Sequence, residues 1–175
     1  MTEFVPFPKI ARLSRECIIT EKIDGTNACV AIDEDGTIRA ASRTRWITPQ
    51  SDNFGFALWV EQNAEQLREL GPGRHFGEWY GVGIQRGYDL HERRFALFNA
   101  GRWTAETLPA CCKVVPVLAQ GHDVSPHQVL ELLRDTGSVA VPRYPKPEGI
   151  IIFHTASRQL YKQLLENDDK PKSLV

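Results

Sequence analysis

The sequence has no apolar run approaching the ~18 residues that cross a bilayer, which excludes a membrane-spanning helix. Between Met1 and Leu13 every short apolar pair is interrupted by proline or charge, so the continuous apolar core of a secretory signal is missing too. Charge of one sign is also lacking. The 21 Lys+Arg face 22 Asp+Glu, a formal net charge of −1, and no global positive field points to a nucleic acid or an anionic membrane. Cysteine is scarce: Cys17, Cys29, Cys111 and Cys112 include no Cys-x-x-Cys pair, and the adjacent two are poor partners for each other. That argues against a disulfide scaffold or structural zinc and for reduced thiols in a cytoplasmic protein. There is no G-x-x-x-x-G-K-[ST] loop and no G-x-S-x-G elbow, so P-loop and serine-hydrolase chemistry lack their signatures. Gly81 to Gly87 imitates a dinucleotide fingerprint, but with one residue too many and no βαβ context, and reads as a backbone turn. His122, Asp123 and His127 have no third ligand nearby in sequence and read as exposed polar residues.

What is present is ordinary globular material: 175 residues, 42% hydrophobic and 25% charged, enough for one domain with a sizeable core. Strand-like runs are expected at Glu16–Lys22, Asn27–Asp33 and Thr37–Ser42, linked by turns at Asp24-Gly25 and Asp33–Gly36 as an antiparallel meander. Others follow at Arg74–Tyr80, Arg93–Asn99, Lys113–Leu118, Gly149–His154 and Arg158–Leu164. Ala57, Val60, Ala64 and Leu67 recur at helical spacing, predicting a helix within Asn53–Leu70 that stops at Gly71-Pro72-Gly73. Ser125, Pro126 and Gln128 start a second helix, and Gly137 follows its last turn. Strands dominate and two helices are inserted, an α+β organisation with antiparallel sheets.

The informative segment is Glu21-Lys22-Ile23-Asp24-Gly25-Thr26-Asn27. A lysine at a strand end, just before a tight turn, can point its amine into a pocket; alone, it is equally a surface lysine before an Asp-Gly turn. Downstream come Ala41-Ser42-Arg43, Phe76-Gly77-Glu78, Phe95-Ala96-Leu97-Phe98, Glu148-Gly149-Ile150 and Tyr161-Lys162, in that order. Glu78 is hard to explain as filler, because a carboxylate in an otherwise apolar strand is costly unless paired. Phe98 could simply be core, and Asn27 a turn residue.

Taken together, these segments resemble the covalent nucleotidyltransferase superfamily, and most closely its ATP-dependent RNA ligases of the RNA ligase 2 type. The resemblance runs from Lys22 to Lys162. It implies an antiparallel-sheet nucleotidyltransferase fold, an ATP-grasp-like adenylation domain with inserted helices. It implies Lys22 as the lysine that carries AMP, Arg43 and Glu78 beside the ribose, Phe98 stacked on adenine, and Glu148 as the carboxylate for Mg²⁺ or Mn²⁺. Lys162 would act on the phosphates, with Asp24 in the catalytic set and Glu21 and Asn27 in the nucleotide-binding set. The substrates it implies are ATP and RNA ends, a 5′-phosphate and a 3′-hydroxyl. Asn27, where DNA ligases and capping enzymes commonly carry arginine, favours the RNA-ligase branch.

Two departures stand out. The last motif usually has a second lysine two residues on, but Leu164 occupies that position, leaving Lys170 or Lys172 as substitutes or the triphosphate contacts weaker. Only about a dozen residues follow the last motif, so residues 1–175 are expected to form a single adenylation domain without an accessory C-terminal or OB domain. The expected function is RNA ligation in three steps. The alternatives are a minimal polynucleotide 5′-adenylyltransferase that seals poorly, and a degenerate nucleotide-binding module.

Overall fold

Two sheets share the chain, and the polypeptide crosses between them beside the lysine motif. The structure, a computed structural model, describes residues 3–169. One sheet has the order β10-β9-β1-β8, from β1 (Cys17–Lys22), β8 (Val117–Gly121), β9 (Gly149–His154) and β10 (Gln159–Leu164). The other has the order β4-β3-β2-β5-β6-β7, from β2 (Thr26–Ile32), β3 (Ile38–Ser42), β4 (Trp46–Ile47), β5 (Gly73–Gly81), β6 (Arg93–Leu97) and β7 (Cys112–Val114). The α+β, antiparallel-dominated architecture expected from the sequence is the one found; among the described strands, β6 and β7 form the one parallel pair.

Three local expectations are corrected. β1 and β2 are not hairpin partners: β1 pairs with β8 and β9, while β2 pairs with β3 and β5. The Asp24-Gly25 turn therefore joins two sheets. The run Lys113–Leu118 is likewise two strands. Val115 N donates to Leu97 O in one sheet, and Pro116 O accepts from Glu21 N in the other. Pro116 has no N–H to continue a ladder, so the strand breaks where the chain changes sheets.

The stretch Asn53–Leu70 is not one helix either. It forms α1 (Phe56–Gln62), α2 (Ala64–Leu67) and a 3-10 turn to Leu70. Phe54 and Gly55 have positive φ, and helical turns begin only after them, with the Asp52 carboxylate accepting from Ala57 N and Leu58 N. Asn63 ends α1 because its side-chain amide takes the Trp59 carbonyl, a local bond that competes with the helix. The later helix, α3 (Pro126–Thr136), starts as expected, with Ser125 Oγ accepting from Gln128 N.

Each sheet buries one face under helices. Phe56 and Trp59 of α1 meet Trp79 and Phe95 with ring centroids 5.1–5.8 Å apart. Leu130 and Leu133 of α3 pack on Ile19, Ile150 and Ile152. A third cluster, including Ile23, Tyr80, Tyr88, Ala96 and Val115, fills the junction of the sheets. The two remaining faces look onto a common cleft.

Candidate active site

The cleft has a volume of about 1130 Å³ and is bordered by residues of both sheets. Strand alternation decides which side chains reach it. From the first sheet, Thr20, Ile151 and Lys162 form one cross-strand row, and Lys22 stands in the next row beside Gly149. From the second, Phe76 and Glu78 face the cleft, while Trp79 turns to the other side, into the core. Phe98 follows β6, tied to β5 by its N–H donating to Phe76 O. It is 41% exposed, whereas Phe95, three residues earlier, is fully buried against α1.

At the floor, Lys22 Nζ lies 2.5 Å from Glu148 Oε2, with side chains 18% and 7% exposed. Two glycines flank this pair where neighbouring strands pack closely. A Cβ on Gly25 would sit 2.4 Å from Trp79 O, and one on Gly149 would sit 2.2 Å from Gln163 O. Neither position has room for a side chain. Glu78 accepts from Gly25 N at 3.1 Å and from Asn27 Nδ2 at 3.4 Å, so β5 grips the turn after Lys22. Asp24 is held by Arg86, Nε to Oδ2 at 2.7 Å, and its N–H donates to Tyr88 Oη at 2.7 Å.

Burial pushes the Glu78 carboxyl up to about 7. The Glu148 and Asp24 carboxylates add to the rise; the Lys22 ammonium and the Gly25 N–H oppose it. The folded value lies above the unfolded one, so the folded state holds this proton more tightly. The associated stability is complete below about pH 4.5 and is lost as pH rises through about 7. Thermal melts between about pH 5 and pH 8 should therefore fall more steeply for the unmodified protein than for Glu78→Gln. Parallel curves would contradict this.

Of the residues expected from sequence, Lys22, Asp24, Asn27, Arg43, Glu78, Phe98 and Lys162 border the cleft, and Glu148 meets Lys22. Glu21 also borders the cleft, but its carboxylate is engaged elsewhere. It follows the opposite parity to Lys22 on β1, and its carboxylate, 1% exposed, accepts from Ser138 Oγ and from the N–H groups of Val139 and Ala140 at 2.6–2.8 Å. That carboxylate pins the loop after α3. Lys170 and Lys172 lie outside the described residues.

As for a metal, no group of three or more His, Cys, Asp or Glu able to hold one is found among the described residues. A single cleft carboxylate such as Glu148 fits a hard cation that keeps its waters and shares substrate phosphates; it does not fit a protein-caged ion.

Comparison with known proteins bears on the family and the fold. The family model described as RNA ligase matches residues 15–167. The chain belongs to the RNA ligase family. Among solved structures, a Naegleria gruberi RNA ligase variant with ATP and Mn aligns at 19% identity and TM-score 0.63, over 87% of this chain and 50% of that one. Another variant with AMP and Mn aligns at 19% and 0.62, over 86% and 50%. An apo variant aligns at 18% and 0.62, over the same shares. This RNA ligase family member thus shares their nucleotidyltransferase fold and spans about half the length of those ligases.

Sequence reading missed Arg86, Tyr88 and Phe76. Arg86 and Tyr88 were hidden in or beside the glycine-rich Gly81–Gly87 stretch, which does form turns. Phe76, 56% exposed in the cleft, lies in the Phe76-Gly77-Glu78 motif without a role implied by the resemblance. Its alternation with buried His75 was the available signal.

Proposed function

We propose that this chain is the adenylation domain of an ATP-dependent RNA ligase, with residues 1–175 acting as one unit. The observation that carries the reading is the partly buried Lys22–Glu148 pair on the cleft floor, with Glu78 gripping the turn between. A lysine is a poor nucleophile near neutral pH, because its ordinary pKa is about 10.4. Lys22 is paired with Glu148 across 2.5 Å, and it is free to react when Glu148 gives up that pairing. The Lys22 amine then attacks the α-phosphorus of ATP. An N–P bond forms, the bond to pyrophosphate breaks, and AMP stays on Lys22. Lys162 supplies positive charge for the phosphate oxygens, while Arg43 and Glu78 hold the ribose and Phe98 the adenine. Mg²⁺ or Mn²⁺ at Glu148, when bound, would neutralise charge developing on those oxygens. AMP passes next to an RNA 5′-phosphate, and a 3′-hydroxyl displaces it to seal the strand.

The test uses 5′-phosphorylated RNA, ATP, Mg²⁺ and excess protein. Longer or circular product is the expected outcome. Accumulation of 5′-adenylylated RNA without sealing would favour the second reading, a polynucleotide 5′-adenylyltransferase. A protein that labels itself but yields neither product has an acceptor other than RNA.

A further inference from the structure

Arg86 does not border the cleft, yet it holds the two segments that build its floor. Its Nε donates to Asp24 Oδ2 at 2.7 Å, two residues beyond Lys22. Its Nη1 donates to Lys146 O at 2.7 Å and to Pro147 O at 3.3 Å, immediately before Glu148. The turn presenting it is costly to form. Gln85, Tyr88 and Asp89 all have φ between 46° and 56°, a region non-glycine residues seldom adopt. Tyr88 anchors that turn: it is 1% exposed, packed between Tyr80 and Tyr144, and its hydroxyl accepts the Asp24 N–H.

We infer that Arg86 is a positioning residue, a clamp that fixes the Lys22 turn against the Glu148 segment so that amine and carboxylate keep their spacing. The shape of guanidinium suits this. It is planar and permanently charged, and its donors point in several fixed directions, so one side chain can serve a carboxylate and two carbonyls at once. Lysine, a single point charge, can serve one arm. Pro147 has no N–H and the segment before β9 is irregular, so its carbonyls depend on partners outside a ladder. No substrate contact is needed: Arg86 acts through the position of Lys22 and Glu148.

The functional part of this inference rests on the adenylylation reading. Single-turnover self-adenylylation is measured against ATP concentration for the unmodified protein and for Arg86→Ala, Arg86→Lys, Asp24→Asn and the Asp24→Asn/Arg86→Ala double variant. Arg86→Ala should lower the maximal rate about tenfold, the scale of a sub-ångström misplacement, with KM for ATP within about twofold. Arg86→Lys should recover part of the rate. Arg86→Ala should cost less in the Asp24→Asn background, because the two act as one unit. Amide exchange should show residues 22–25 and 146–149 loosening together in Arg86→Ala.

A normal rate in Arg86→Ala overturns the clamp. So does a raised KM at unchanged maximal rate, or strict additivity with Asp24→Asn. If Arg86→Ala does not fold, partial rescue in Arg86→Lys and coupled loosening in Asp24→Asn decide the matter. If the unmodified protein takes no label, the adenylylation reading fails, and the clamp stands or falls on the exchange data: loosening of only one segment refutes it.

Discussion

Lys22→Ala is expected to abolish labelling of the protein by ATP carrying a marked α-phosphate. The Lys22 amine lies on the cleft floor 2.5 Å from Glu148, and no alanine substitute can form the N–P bond. Only the first step needs that amine. The variant should therefore still join RNA supplied already 5′-adenylylated, at a rate comparable with the unmodified protein. This pattern, first step lost and last step kept, separates a missing nucleophile from a collapsed cleft. Residual label in Lys22→Ala would move the nucleophile elsewhere, with Lys162 the obvious alternative on the same sheet face.

Phe98→Ala is the second large effect. Base–aromatic stacking is worth roughly 1–3 kcal/mol per base in nucleic-acid sites. At 1.4 kcal/mol per factor of ten, ATP binding should weaken about 5- to 150-fold. Phe98→Leu keeps apolar volume but loses the flat face, so it should restore melting temperature and little affinity. Phe95→Ala should do the reverse. Its ring is fully buried, 5.1 Å from Phe56, and a cavity there costs about 3–5 kcal/mol of stability while leaving the cleft lining in place. Equilibrium binding of ATP and thermal melts on the three variants check both halves. If Phe95→Ala lost ATP and Phe98→Ala lost only stability, the nucleotide would bind on the other side of the strand.

Much of this was legible because it is local. Alternation in β5 and the helix-start residues before α3 act within a few positions, and the structure follows them. Alternation also bore on Glu21: next to Lys22 on one strand, it had to face the other way, and its carboxylate serves Ser138 and the following amides. What sequence did not reveal is where the chain leaves a sheet. The Asp24-Gly25 turn looks like a hairpin from inside the segment, and only the pairing of β1 with β9 and of β2 with β5 makes it a crossing. Pro116 was the visible sign of the other crossing. Arg86 is harder still, since its carboxylate partner is 62 positions away and no periodicity links them.

The role proposed for Lys22 is to carry AMP. Incubation with ATP and Mg²⁺, followed by proteolysis under non-acidic conditions and peptide mass mapping, tests it most directly. One AMP adduct is expected, on the peptide containing Lys22, removed by acid and stable to alkali. An adduct on a different residue, or none with any nucleoside triphosphate, would contradict it.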